Sequence, residues 1–318
     1  MQFTTKISIP KSDHQIDYNS KILSLGSCFA VNIGDKFDYF KFQNTTNPFG
    51  ILFHPLAIKK LIDFAVSQKN FTPEDLFFHN ERWHCFDAHS DLSNPNKDEL
   101  LQNLNEILKS TYQQIAESTH IIITYGTSWV YRNIETNKIV ANCHKVPQKQ
   151  FVKELLSVET IKKSIKTILD LIQKINPNVT IILTISPVRH LKDGFVENQL
   201  SKAYLISALH QVLQTEYCKL NTEYFPSYEI MMDELRDYRF YAEDMIHPSQ
   251  IAIDYIWERF SETNISIETH PIMVEVSTIQ KGLAHRPFNI NSESHQQFLS
   301  KLQDKIVKLQ QQFPQIQF

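Results

Sequence analysis

Short unbroken apolar runs alternate along this chain with longer stretches in which apolar residues recur every three or four positions. Residues 22–25 (ILSL), 120–125 (HIIITY) and 180–186 (TIILTIS) are too short for helices and lack polar alternation, so the pattern predicts strands buried on both faces. Helical spacing covers residues 29–40, 56–66 and 197–220. It is clearest at Leu101, Leu104, Leu108, Tyr112 and Ile115, and at Ile161, Ile165, Ile168, Ile172 and Ile175. Residues 41–46 form a weaker strand that runs into an NPFG turn at Asn47 to Gly50, and residues 224–230 give the last strand.

Strand and helix in repeated succession predict a parallel sheet with helices on both faces, because each parallel connection must cross over through a helix. Ligands of such sheets bind beyond the carboxyl ends of the strands. That rule singles out Gly26-Ser27-Cys28, Asn47 to Gly50, Gly126-Thr127-Ser128, Pro187 to His190, and whatever follows the last strand. Residues 76–90, turning at HNER, and 129–143, turning at ETNK, read as antiparallel insertions and are expected to form a lid. A polar helix over 293–312 reads as an appendage, which gives an expected division into a main domain at 1–265 and a helical extension at 266–318 packed on or beside it.

Composition narrows the classes of partner. A net charge of −3 leaves no lysine and arginine excess to neutralise phosphates, so nucleic acid is not an expected partner. No apolar run has the 18 or so residues of a membrane span, and MQFTTKISIPKSDHQ lacks the apolar core of a secretory signal; the expectation is a cytoplasmic protein. The four cysteines, Cys28, Cys85, Cys143 and Cys218, form no CxxC pair and are expected as free thiols. Average usage would give a chain of 318 residues about 22 glycines. It has 6, and Gly26, Gly50 and Gly126 stand at predicted strand ends or turns, where a bare Cα lets a ligand approach the backbone.

Ser27 and Cys28 sit where the first strand meets its helix, a place that exposes a hydroxyl or thiol and lowers a thiol pKa through the helix N-terminus. Either residue can instead be structural, Ser27 as a helix cap and Cys28 as a small apolar side chain. Asp244 and His247, spaced DxxH before Pro248, can lie on one side of a loop, the carboxylate holding one imidazole nitrogen while the other faces a nucleophile. Arg189 and His190 follow the third buried strand, where a fixed cation suits an anion, and Lys145 offers the same with less support. His84, Cys85, His89, Cys143 and His144, with Cys28, raise a zinc alternative. Their spacing fits no finger or ribbon, and neighbours on a strand point to opposite faces, so neither a metal nor a cofactor is expected.

The order of these features resembles the SGNH, or GDSL-like, hydrolase superfamily and, at closer range, its GSCFA family. The resemblance is carried by GSCFA at 26–30, NPFG at 47–50, GTSW at 126–129, NCHK at 142–145, SPVRH at 186–190 and DxxHPS at 244–249, in order over about 230 residues. It implies a three-layer α/β/α flavodoxin-like fold and chemistry on an acyl ester or amide of a small molecule or carbohydrate. Cys28 occupies the place of the superfamily's nucleophilic serine and Ser27 that of its aspartate, so the nucleophile is Cys28 or, one residue earlier, Ser27. His247 is then the base and Asp244 its partner. Gly50 is implied as an oxyanion donor, the superfamily's oxyanion asparagine falls at Ser128, and Asn142 is a substitute. Asn47, Gly126, Thr127, Arg189 and His190 are implied around the substrate. The same departures support a second expectation, a non-catalytic ligand-binding protein of this fold.

Overall fold

The computed structural model describes residues 4–215, 217 and 221–318. In chain order the elements are β1 (Lys21–Gly26), α1 (Cys28–Tyr39), β2 (Gln43–Thr46), α2 (Pro55–Val66), β3 (Leu76–His79), β4 (Arg82–Cys85), α3 (Lys97–Glu117) and β5 (His120–Tyr125). There follow β6 (Trp129–Asn133), β7 (Ile139–Val140), β8 (Phe151–Leu155), α4 (Val158–Ile175), β9 (Thr180–Ile185), α5 (Phe195–Leu213), β10 (Thr222–Phe225) and the short α6 (Ser227–Glu229). The last helices are α7 (Gln250–Asn264), α8 (His270–Leu283) and α9 (Glu293–Gln312).

The main sheet runs β10-β9-β5-β1-β2 with every pairing parallel. Counted along the chain, its strands lie in the order 2-1-3-4-5, a flavodoxin-like arrangement whose switch point falls between β1 and β5. Successive residues of each strand serve opposite faces. Leu23, Leu25, Ile121, Ile123, Ile181 and Leu183 pack beneath α2, α3, α4 and α5, whereas Ile22, Ile122 and Ile182 join the core beneath α1, α7, α8 and α9. Both faces are buried, which is why these strands read as unbroken apolar runs. Asn96 caps α3 by accepting from Asp98 N and Glu99 N, and Ser157 caps α4 by accepting from Thr160 N, so both amphipathic helices begin at a polar side chain that satisfies an end amide.

Three expected elements take a different form. The helix expected over 197–220 ends at Leu213, and 216 and 218–220, Cys218 among them, lie outside the described residues. The last strand stops at Phe225 because Pro226 has no N–H for the ladder; the chain turns into α6 and a π-helix at Ile230–Leu235, with Ser227 Oγ donating to Ile185 O at 2.7 Å. The second insertion gains a third strand, β8, which pairs antiparallel with β6. The first insertion is a hairpin, β3 with β4, whose turn places Asn80 and Glu81 at φ of 45° and 61°, the geometry a two-residue hairpin loop needs. At the carboxyl end, Leu302, Ile306 and Leu309 of α9 and the following Ile316 are buried in the same core as Val276 and Ile279 of α8. Among the described residues, no helix is long and apolar enough to cross a membrane.

Candidate functional site

Beyond the carboxyl ends of β1, β5 and β9 lies a cleft of about 560 Å³, at the switch point of the sheet. Cys28 lines it from the first turn of α1, Phe53 and Thr127 from the loops beside β1 and β5, Arg189 and His190 from the loop after β9, and His247 from the loop before α7. The second insertion supplies a wall through Trp129, Tyr131, Asn142 and Cys143, where a lid was expected.

The β1 to α1 junction is built by backbone hydrogen bonds. Gly26 adopts φ of 134°, and Asn47 Oδ1 accepts from Gly26 N at 2.7 Å while Asn47 N donates to Ser24 O at 2.8 Å. Asn47 therefore fixes the end of β1 rather than lining the cleft. Gly50 N donates to Asn47 O at 2.7 Å to close the NPFG turn, so the amide expected at an oxyanion hole is spent, and Gly50 lies outside the cleft lining. Ser27 stands at the N-cap position but makes no cap bond; its Oγ is buried without a partner, whereas Cys28 reaches the cleft. Burial raises the Cys28 thiol, outweighing the nearby Lys202 and the amides of Cys28 and Phe29, which lower it. The helix N-terminus acts in the expected direction but does not prevail.

Ser128 faces away from the cleft. Its N donates to Ser201 Oγ at 2.7 Å and its Oγ to Ser201 O at 3.2 Å, locking the loop after β5 onto α5. Thr127 lines the cleft, but its Oγ1 pairs with Ser201 Oγ at 3.0 Å and accepts from Trp129 N at 3.1 Å. Asn142 lines the cleft with its Oδ1 taken by Ser90 Oγ and His144 N; its amide nitrogen has no acceptor among the described residues and remains a donor. Gly126 N donates to Phe53 O at 2.8 Å, and a Cβ on Gly126 would come within 3.0 Å of Ser27 Cβ and 3.3 Å of His190 Nε2. A side chain there would need these neighbours to give by a few tenths of an ångström.

Asp244 and His247 meet. Asp244 Oδ2 lies 2.6 Å from His247 Nδ1, while Oδ1 accepts from Ile246 N at 2.9 Å and His247 N at 3.0 Å. These bonds, that from the imidazole first, hold the Asp244 carboxyl down at about 2, so it is ionised at neutral pH. A carboxylate on Nδ1 fixes the tautomer with Nε2 as the free, basic nitrogen. Arg189 clamps this loop: its N donates to Ile246 O at 3.1 Å and its Nη1 to Met245 O at 2.9 Å, while its guanidinium stacks near Tyr241, Phe195 and Tyr238. The side chain expected to bind an anion thus orders the histidine loop. His190 N donates to Asn198 Oδ1 at 2.8 Å, its Nε2 is buried and unpartnered, and burial, with Lys202 and His247 nearby, pushes its pKa down to about 3. It is a neutral imidazole.

Two of the histidines considered for zinc are committed to other partners. His84 bonds Ser93 Oγ at 2.6 Å and His79 O at 2.9 Å, and His144 bonds Cys85 O at 2.7 Å and Ser90 Oγ at 3.1 Å, so the nitrogens of both rings are engaged. These two rings lie 4.8 Å apart and join the β3–β4 hairpin to the wall of the cleft. His89 Nδ1 lies 3.0 Å from Asp91 Oδ2. Burial pushes the Cys85 thiol up to about 12. Lys145 does not line the cleft.

Lys202 was not anticipated. It lies on α5 just below the cleft, almost wholly buried, and donates to Gly126 O at 2.7 Å and Ser186 O at 2.6 Å. The sequence carries its signal: Lys202 falls on the stripe formed by Asn198, Ser201, Leu205, Leu209 and Val212, all buried on α5.

Comparison with known proteins gives a family. Residues 21–260 match the GSCFA family, and residues 276–318 match the GSCFA domain protein, C-terminal domain. No curated protein matches the chain. Among solved structures it is similar to an acetyl xylan esterase from the rumen bacterium Butyrivibrio proteoclasticus, at 11% identity and a TM-score of 0.36, over 80% of this chain and 65% of that one.

Proposed function

The chain belongs to the GSCFA family, and on that premise we propose that it is an SGNH-like esterase or acyltransferase acting on an acyl ester or amide of a small molecule or carbohydrate. The observation that carries this reading is the Asp244–His247 pair, 2.6 Å apart, whose imidazole lines the same cleft as Cys28 at a helix N-terminus. The side chain of Cys28 is in the cleft and that of Ser27 is buried, which supports the thiol as nucleophile.

Cys28 Sγ attacks the acyl carbonyl, forming a C–S bond while the carbonyl electron pair moves onto oxygen. Because burial raises the thiol, it rests protonated and gives its proton to His247 Nε2 during attack. Asp244 holds the imidazolium that results. The Cys28 amide at the start of α1 and the Asn142 side-chain nitrogen are the donors for the oxyanion. Collapse breaks the bond to the leaving oxygen or nitrogen, which takes the proton from His247. Water or an acceptor alcohol, deprotonated by His247, then releases the acyl group from the thioester. With 1–265 as the catalytic domain, the segment 266–318 packs on the layer formed by α1 and α7.

Mass mapping after treatment with iodoacetamide and, in parallel, a fluorophosphonate tests this. We expect iodoacetamide to label Cys28 of the folded protein, slowing in His247→Ala, and p-nitrophenyl acetate hydrolysis to disappear in Cys28→Ala. A fluorophosphonate adduct on Ser27 would overturn the choice of nucleophile. Reaction with neither probe favours a non-catalytic ligand-binding protein, a reading supported by the engaged Gly50 amide and the inward-facing Ser128.

A further inference from the structure

The loop that carries Asp244 and His247 runs over 236–249, between the π-helix and α7, and a buried ionic cluster joins its two stems. Glu234 comes from the end of the π-helix, Tyr255 and Arg259 from α7. The Glu234 side chain is wholly buried and that of Arg259 nearly so, yet their direct contact is loose. Arg259 Nε lies 3.4 Å from Glu234 Oε2 without forming a hydrogen bond, and Nη2 reaches Oε1 only at 3.5 Å. The short bonds run through a third partner. Ile7 N donates to Glu234 Oε1 at 2.6 Å, and Ile7 O accepts from Arg259 Nη2 at 2.5 Å. Ile7 thus bridges anion and cation with its own main chain.

Tyr255 Oη completes the carboxylate by donating to Glu234 Oε2 at 2.6 Å, and Arg259 Nη1 donates to Glu262 Oε2 at 2.7 Å. Two buried charges this far apart do not recover their dehydration cost from mutual attraction alone, so the added hydrogen bonds decide how firmly the pair is held.

From this cluster His247 is two contacts away. Phe240, Tyr241 and Tyr255 pack on Met231, Leu235 and Ala252, which joins the π-helix, the loop and α7. Within the loop, Ser249 N donates to Phe240 O and Ala242 N to His247 O, both at 2.8 Å. Arg189 holds the same loop at Met245 and Ile246, whereas the Glu234 cluster holds its stems.

We propose that Glu234, Tyr255 and Arg259 are positioning residues for His247, and that the segment before β1 completes the device through the main chain of Ile7, whose two bonds set the spacing of the stems. None of these four residues lines the cleft, so the device acts through the loop and not on substrate. Its bearing on turnover rests on His247 as the base; the positioning itself does not.

Amide hydrogen exchange followed by NMR in wild type, Ile7→Pro, Ile7→Ala and Tyr255→Phe tests this. Proline removes the N–H that Glu234 accepts, alanine keeps it and changes only the side chain, and phenylalanine removes the hydroxyl alone. The amides of Ala242, Ile246, His247 and Ser249 should exchange about tenfold faster or more in Ile7→Pro and Tyr255→Phe. Those of Trp83 and Asn94, bonded to each other at the β3–β4 hairpin, should keep their wild-type rates, and Ile7→Ala should follow wild type throughout. Where p-nitrophenyl acetate is turned over, kcat should fall in Ile7→Pro with KM unchanged. A general loss of stability would instead quicken the slowest amides of β5 and β9 and leave the loop, which opens locally, as it was. That outcome overturns the proposal, as does an Ile7→Ala loop as quick as that of Ile7→Pro. Should Ile7→Pro fail to fold, Tyr255→Phe decides, and wild-type loop rates there overturn it. Loop amides that quicken in a protein without acyl turnover leave this inference standing and defeat the esterase reading; an active protein with unchanged loop rates does the reverse.

Discussion

Asp244 gathers three hydrogen bonds from two residues just beyond it in the chain: Ile246 N, His247 N and His247 Nδ1. This local geometry makes the pair legible as a DxxH motif in the sequence, since no distant element is needed to bring its members together. Its electrostatics follow from those donors, and with a pKa held at about 2 the carboxylate is ionised at neutral pH. Asp244→Asn preserves the shape of the loop but removes the charge that fixes the imidazole tautomer. Acyl turnover, followed with p-nitrophenyl acetate, should fall by about 1000-fold or more, while the thermal midpoint stays close to wild type because Asp244 is exposed. Arg189 was less legible. Its position after β9 is plain, but a strand-end arginine serves an anion and a pair of backbone carbonyls equally well, and only the approach of Met245 and Ile246 decides between them. Lys202 is the extreme case, because a lysine on a buried stripe gains meaning only from the two carbonyls that hold it.

The β1–α1 connection sets where Cys28 stands. Gly26 has φ of 134°, and a Cβ there would fall 2.1 Å from Thr124 O on the neighbouring strand. Neither difficulty can be relieved by a rotamer change, since both concern backbone. Gly26→Ala should therefore destabilise the protein by about 4 kcal/mol or more, read from urea unfolding, and the surviving folded fraction should show slowed alkylation of Cys28. An effect within about 1 kcal/mol would mean that the junction relaxes. Strands β1, β5 and β9 and helices α3 and α4 were visible as apolar periods because each faces a continuous core. The third strand of the second insertion was not, since FVKEL is half-buried with a charged outer face and its pairing with β6 is a tertiary event. The helix after Pro226 was hidden for a related reason: an apolar run marks burial, while the proline and the bond of Ser227 to Ile185 O choose its conformation.

Three histidines bind the molecule into one pH-sensitive unit. His54 caps α2 through Nδ1 and reaches Val140 O through Nε2, His144 joins the hairpin to the wall, and His190 lines the cleft. Burial is the first cause in each, lowering His54 and His144 to about 4 and His190 to about 3. The folded state holds them neutral, whereas the unfolded chain takes up protons below about 6.5, so this stability is complete above about 6.5 and is lost as the pH falls towards 4 and 3. The thermal midpoint should decline over that window, and His54→Asn, which keeps a capping side chain without a titrating ring, should flatten the decline; an unchanged slope would exclude His54 from it. On the largest scale, the sequence by itself determined the α/β succession, the parallel sheet and the edge at which to look for chemistry, because apolar period and strand–helix alternation are properties of neighbours along the chain. Only the tertiary structure decided which polar atoms face the cleft. It buried Ser27 and Ser128, engaged the Gly50 amide in its own turn, turned Arg189 onto the histidine loop and set Lys202 on the carbonyls of Gly126 and Ser186. Those outcomes depend on which groups distant in sequence reach a donor or acceptor first, and the free energy of a buried polar atom is set by that partner rather than by its position in the chain.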